Sequence, residues 1–211
     1  MSLEAWCPRD QETLGNEEDG RPGTCPVHGA VTPLWRPATP TYDAFTTHLR
    51  LAAGFPTYLP WPLGSGWRVS DFGVVSGDRG ATATVTVCSG TSALDGPVDV
   101  LLVAEEAGVG LGGRCAGLVG SDPGADFGIG PPASRVRIRS QSVPLWPVST
   151  AASGELDRSV LAGEAEGRWL WVVLMPASAV LMFREEWLLK DVSGSGPYLV
   201  DLPFAGPAPV W

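Results

Sequence analysis

From residue 67 onward, apolar positions come in short bursts bounded by Gly, Pro, Ser or Asp: WRVSDFGVVS, ATATVTVCS, VDVLLVAEE, SRVRIRS, DRSVLAGEAEG, RWLWVVLMP, AVLMF and YLVDL. Several alternate apolar with polar residues and several are apolar throughout, the patterns of strands buried on one face and on both. They predict a β-rich, mainly antiparallel domain over residues 67–211. The pair LAGEAEG and RWLWVVLMP predicts a hairpin that turns at Glu166 and Gly167. REEWLLKDV fits a short helix or an edge strand. No repeat period is visible, which argues against a solenoid or propeller.

Upstream the pattern is different. In TYDAFTTHLRLAAGFP, residues Tyr42, Phe45, Leu49 and Ala52 recur at helical spacing, with Thr41 as a good N-cap, Gly54 as a left-handed stop and Pro56 beyond it. A helix over residues 42–53 follows, set between the Pro/Trp-rich segments TPLWRPATP and TYLPWPLGSGW. Residues 1–32 show no periodicity and carry the acidic, glycine-rich run NEEDGRPG, so they lack apolar residues for a core of their own. A segment of that kind needs a staple. The expected architecture is α+β: a small N-terminal zinc-ribbon-like module (1–32), a connector with one helix (33–66), and a β-rich, mainly antiparallel domain with one or two short helices (67–211).

Composition narrows the function classes. Of 211 residues, 44% are hydrophobic and 18% charged, which suits a packed globular chain. The net charge of −9 opposes nucleic-acid binding, where Lys and Arg must neutralise phosphates. Arg135, Arg137 and Arg139 alternate along SRVRIRS, the pattern of one solvated strand face. No apolar run is long enough for a membrane helix, and MSLEAWCPRD has neither the basic nor the apolar region of a signal peptide, so a cytoplasmic location is expected. In a reducing cytoplasm the four cysteines suit ligands or buried thiols better than disulfides. Nine tryptophans suit core filling. Those at Trp35, Trp61 and Trp67 either clamp the N-terminal module to the body or, if exposed, mark a partner surface.

The segment from Cys7 to Gly29 carries the clearest chemistry. Zinc ribbons use two tight turns, each with two ligands separated by two residues, because that spacing lets both side chains converge on one tetrahedral ion. The turn Cys25-Pro-Val-His28-Gly29 follows that logic, with proline fixing the turn and glycine relaxing its exit. The other turn is Cys7-Pro-Arg-Asp10-Gln11, with Asp10 where a cysteine is expected. Charge is conserved by that exchange, since a carboxylate replaces a thiolate. Softness and reach are not, because an oxygen donor is harder than sulfur and stands one bond further from the backbone. The expected ligand set is Cys7, Asp10, Cys25 and His28 around a structural zinc, with Glu12 or water as substitutes for Asp10.

The turn CPVHG and the segments YLPWPLGSGW, VLLVAEEAGVGLGGRCAG and VLAGEAEGRWLWVVLMP together resemble an uncharacterised family, a domain of unknown function, from GC-rich bacteria. The resemblance spans nearly the whole chain and implies an N-terminal zinc ribbon of CxxC and CxxHG turns, with ligands at Cys7, Cys25 and His28. This chain departs from that pattern at Asp10. Some relatives carry a phosphotransacetylase label, but no coenzyme A or acyl-phosphate site is legible in these residues.

Other constellations are weaker. Gly108-Val-Gly-Leu-Gly-Gly113 satisfies GxGxxG, but no second strand ending in an acidic residue follows, and Glu105 and Glu106 stand where they would repel a pyrophosphate. A tight structural turn is the expectation, with the two glutamates at a solvated strand end. Glu164 and Glu166 suit the wet side of a hairpin, His48 helix packing, and Cys88 a small buried hydrophobe. Cys115 follows Arg114 with no base nearby in sequence.

These readings favour a non-catalytic cytoplasmic protein acting through protein–protein contacts, with no nucleic-acid or membrane partner. The alternative is an enzyme or small-ligand-binding domain with a pocket near Gly108–Gly113, lined by Glu105, Arg114 and Arg137.

Overall fold

The computed structural model describes residues 3–15, 24–151, 154, 156–182 and 186–211. The acidic run NEEDG and part of REEWLLKDV lie outside the described residues. The chain is β-rich, with a mostly antiparallel sheet and few short helices.

Strand β1 (Leu3–Trp6) pairs with β2 (Leu34–Pro37), and helix α1 (Tyr42–Leu51) and the short β3 (Tyr58–Pro60) follow. Then come β4 (Arg68–Gly77), β5 (Gly80–Ser92), β6 (Gly96–Glu105), helix α2 (Leu111–Ala116), β7 (Ser134–Ile138), β8 (Gln141–Val148), β9 (Ser159–Ala165), β10 (Arg168–Met175) and β11 (Trp187–Asp191). The order across the sheet is β1-β2-β4-β5-β6-β10-β9-β8-β7-β11-β3, antiparallel throughout except between β7 and β11. The far edge curls back over the middle. Thr84 and Thr86 of β5 each donate a hydroxyl hydrogen bond, at 2.6 Å, to the carbonyls of Pro56 and Tyr58 at β3.

The curl explains why the central strands read as apolar on both faces. Val100, Leu102, Leu170 and Val172 point into the fold and meet Val136, Leu145 and Leu189 from the returning half. Their neighbours Leu101, Val103, Trp171 and Val173 point the other way and are covered by Leu111, Cys115 and Trp211. Each such buried side chain contributes about 1.5–3 kcal/mol of transfer free energy, so strand alternation carries two cores at once.

Helix α1 begins where its cap predicts. The Thr41 hydroxyl accepts from the Ala44 N–H at 3.2 Å, and the helix closes two residues before the expected end, with Gly54 in the left-handed region at φ +79°. Its apolar stripe puts Phe45 edge-on against Phe72 of β4, with ring centres 4.9 Å apart. The hairpin turn at Glu166-Gly167 is also as predicted: both residues have positive φ, which matches the twist of the flanking strands.

Other expectations fail for local reasons. AVLMF is not a strand: a 3-10 turn spans Ala177–Met182, opened by the Ala179 N–H bond to Pro176 O, and Ala179 tucks under the sheet. YLVDL likewise gives way to a 3-10 turn at Gly196–Leu199. REEWLLKDV resolves as a strand over Trp187–Asp191. The connector hides β2 and β3, and PLWPV hides β8, whose two prolines suggest a loop. Residues 141–145 of β8 pair with β7 and residues 146–148 with β9. Each half therefore leaves one edge free, and Pro144 and Pro147 cost few ladder bonds. No helix of the described residues is long and apolar enough to cross a membrane.

Neighbouring strands β2 and β4 are joined by a buried ion pair. Arg36 of β2 places Nη2 at 2.5 Å from Asp71 Oδ2 on β4, and the Trp211 indole N–H donates to the same oxygen at 2.9 Å. Arg36 also lies over the Trp211 ring, 4.0 Å from its centre. Removing Asp71 strands a largely buried guanidinium, so Asp71→Ala should lose about 3–5 kcal/mol of unfolding free energy, read from denaturant midpoints. Leu156→Ala, at an exposed apolar position, should change it by less than about 0.5 kcal/mol.

Candidate metal centre

Two turns build the centre. Cys7 closes β1, and its N–H bonds to Glu12 O at 2.9 Å, which draws residues 7–12 into a tight loop. The second turn is pinned by paired backbone bonds between Cys25 and Gly29, at 2.9 and 2.8 Å, with Gly29 at φ +68°. Each turn aims a backbone N–H at its cysteine: Arg9 N–H to Cys7 Sγ at 3.4 Å, and His28 N–H to Cys25 Sγ at 3.3 Å. Such bonds favour sulfur in its anionic, ligating form.

The donor atoms of Cys7, Asp10, Cys25 and His28 all lie within 4.8 Å of one another. His28 Nδ1 stands 3.5 Å from Cys7 Sγ and 3.6 Å from Cys25 Sγ; Asp10 Oδ2 is 3.2 Å from Cys25 Sγ and 2.8 Å from His28 Nδ1. A tetrahedral ion with bonds of about 2.3 Å to sulfur and about 2.0–2.2 Å to nitrogen or oxygen places its ligands roughly 3.3–3.8 Å apart. The two sulfur–nitrogen edges already match that figure, and the Asp10–His28 edge is drawn in to hydrogen-bond length. The group can hold a metal ion, with Asp10 in the fourth place and Glu12 exposed outside it.

Burial divides the four donors. Both thiols are buried, whereas Asp10 and His28 form the accessible edge. Burial pushes the Cys7 thiol up to about 11, against the Arg9 N–H that favours the thiolate. Burial also works to raise the Asp10 carboxyl, but the Glu12 N–H and the neighbouring Cys25, Cys7 and His28 outweigh it and hold Asp10 below its ordinary value. The apolar base under the centre is small, comprising Ala5, Cys7, Leu14 and Cys25, with Val31 and Trp35 packed alongside.

The glycine loop is a tight turn, as expected, with Gly108 and Gly110 at φ +84° and +91°, but the glutamate before it is not where the sequence places it. Glu105 is not solvated: it is fully buried at the end of β6, and its Oε2 accepts from the Leu111 N–H at 2.8 Å. The sequence missed this because an acid at a strand end is usually wet; here α2 folds down on it. A Cβ at Gly112 would stand 2.1 Å from Trp171 Nε1, and one at Gly113 would stand 2.1 Å from the Gly120 carbonyl, so these glycines permit close packing. The space a pyrophosphate would need is filled by the chain's own carboxylate.

The remaining candidates are scattered. His48 is fully buried, its Nε2 3.2 Å from Thr57 Oγ1, and burial takes it down to about 3. The Cys88 and Cys115 thiols are pushed up to about 12 by burial. Arg135, Arg137 and Arg139 are all exposed, with Arg137 paired to Glu186 at 2.6 Å. Of the pocket residues expected near the loop, Glu105 is sealed inside and Arg137 is on β7, leaving Arg114 beside a cavity of about 230 Å³ with Arg9, His28 and Gly110. Trp35 clamps, donating its indole N–H to Ser76 O at 2.9 Å, while the half-buried Trp61 and Trp67 line an open groove with Trp187.

Fold and site together define a β-rich protein with a small knob of metal donors at one edge of its sheet. The chain belongs to a family of unknown function, DUF6758, whose model matches residues 1–211. No curated protein and no solved structure matches it.

Glu105 gives a pH signature. Burial carries its carboxyl from 4.5 to about 7 in the folded chain, so its proton favours the fold and is fully held below about 4.5. As pH rises through that window, on the order of 3 kcal/mol of stability is lost from this group. Denaturant midpoints should fall between pH 4.5 and 7 in the natural chain, and Glu105→Gln should flatten that fall.

Proposed function

We propose that this is a non-catalytic cytoplasmic protein whose first 32 residues form a zinc-ribbon-like module, closed by one structural zinc and acting through contacts with another protein. The observation that carries the reading is the convergence of Cys7, Asp10, Cys25 and His28 from two tight turns over a base of few apolar residues. A core of that size does not hold two turns together by burial alone, and a divalent ion supplies the missing closure. Zinc suits the two thiols and the imidazole; Asp10 supplies a harder fourth donor.

A structural role is supported by where the reactive groups are. Glu105 caps α2, His48 is sealed behind α1, and Cys88 and Cys115 are buried thiols. Contact with a protein is supported by the open groove lined by Pro60, Trp61, Pro62, Trp67 and Trp187, whose tryptophans are half-buried and keep part of their surface accessible. The net charge of −9 disfavours a nucleic-acid partner.

Elemental analysis of purified protein should find one zinc per chain, and Cys25→Ser should lose it. Equal trace metal in both proteins would end the proposal. Asp10→Cys, which restores a soft donor, should retain zinc against a chelator for at least about tenfold longer. Unchanged retention would remove Asp10 from the ligand set.

A further inference from the structure

Arg114 is a buried charge with incomplete compensation. It projects from α2 and is 8% exposed. Its Nη1 donates to Cys7 O at 2.7 Å and its Nη2 to Trp211 O at 3.3 Å, and the guanidinium lies over the Trp211 ring at 4.9 Å. Its Nε–H has no partner. Among the described residues no Asp or Glu side chain is ion-paired with it, and a second guanidinium, Arg36, shares the same indole ring. A buried donor of this kind calls for an acceptor that the chain itself does not supply.

Space for such an acceptor lies beside it. The cavity of about 230 Å³ between the N-terminal knob and the body is lined by Arg114, Arg9, His28, Gly110, Gly120 and Ser121, with Leu118 and Val119 completing the wall. No acidic residue lines it, although the chain carries 23 Asp and Glu against 14 Lys and Arg. Arg9 is held at the opposite wall by Gly108 O at 2.8 Å and Val109 O at 3.1 Å, bonds that use Nη2 and Nε and leave its Nη1 free of protein partners among the described residues. Asp10, next to Arg9 in sequence, is turned toward Cys25 and His28.

We propose that this cavity binds a small oxyanion, a phosphate, sulfate or carboxylate group, between the guanidinium groups of Arg114 and Arg9. Guanidinium donors match the oxygens of such groups in geometry and charge. The cavity's size admits one such group with a short organic tail and excludes a dinucleotide. The inference stands on the cavity and on Arg114, and it needs the metal centre only as the wall that presents Arg9 and His28.

The test uses the full chain with its zinc content measured beforehand, so that a failure of metal binding is seen separately. Inorganic phosphate, sulfate and acetate are titrated in turn at constant ionic strength, followed by calorimetry and amide NMR. Saturable one-to-one binding with a Kd on the order of 1 mM or tighter is expected for at least one of them. Shifts should gather at Gly120, Ser121 and His28. The phosphate and acetate arms separate a phosphate-bearing ligand from a carboxylate-bearing one. Arg9→Gln, an exposed change that spares the core, and Arg114→Gln should each weaken binding by about tenfold or more. Three results would overturn the proposal: no saturable binding by any of the three anions, binding indifferent to both substitutions, or an Arg114→Gln protein that loses zinc while the natural chain binds no anion. The last would make the metal centre itself the counter-charge of Arg114.

Discussion

The carboxylate of Asp71 is the constraint on which the edge of the molecule depends. It is buried on β4, close to a register shift in the pairing with β5, and it receives both the Arg36 guanidinium and the Trp211 indole. Those two partners come from strand β2 and from the far end of the chain, so one oxygen sets the position of segments 175 residues apart. Trp211 in turn lies between Arg36 and Arg114, and Arg114 reaches the carbonyl of Cys7. The knob that gathers the metal donors is therefore fixed to the body through a continuous run of charged and aromatic contacts, in addition to the strand pairing of β1 with β2.

Much of the body was legible because its signals are local. Alternation along RWLWVVLMP and VDVLLVAEE, the Thr41 cap and the Glu166-Gly167 turn each depend on near neighbours, and each appears where the sequence places it. What was hidden is set by distant partners. The two prolines of β8 hide a strand that changes partners midway. Strands β2 and β3 sit inside a proline-rich connector and exist because β4 and β11 offer them edges.

The site divides along the same line. Cys25 and His28 are a spacing signal, and their turn closes as expected. Asp10 carries a weaker signal, because whether a carboxylate reaches the common centre depends on the loop that the Cys7–Glu12 bond draws tight. Glu105 was misread outright, since nothing in VAEEAGVGLGG says that the following helix packs its first N–H onto the acid and covers it. Arg114 carries a partial signal in its place beside Cys115, but its neighbours across space are Cys7, Trp211 and Arg9.

Strand β1 is four residues long and forms the outer margin of the sheet, beyond β2. Its continuation carries Cys7, so the loop that collects the donors is also what holds this margin in place. Beneath it, β2 is paired to β4 through only Leu34 and Trp35, leaving a flank of backbone amides and carbonyls that β1 shields. Loss of that loop's closure would therefore reach beyond one small knob: it would bare the flank of β2, an unpaired edge of the kind to which further strands add.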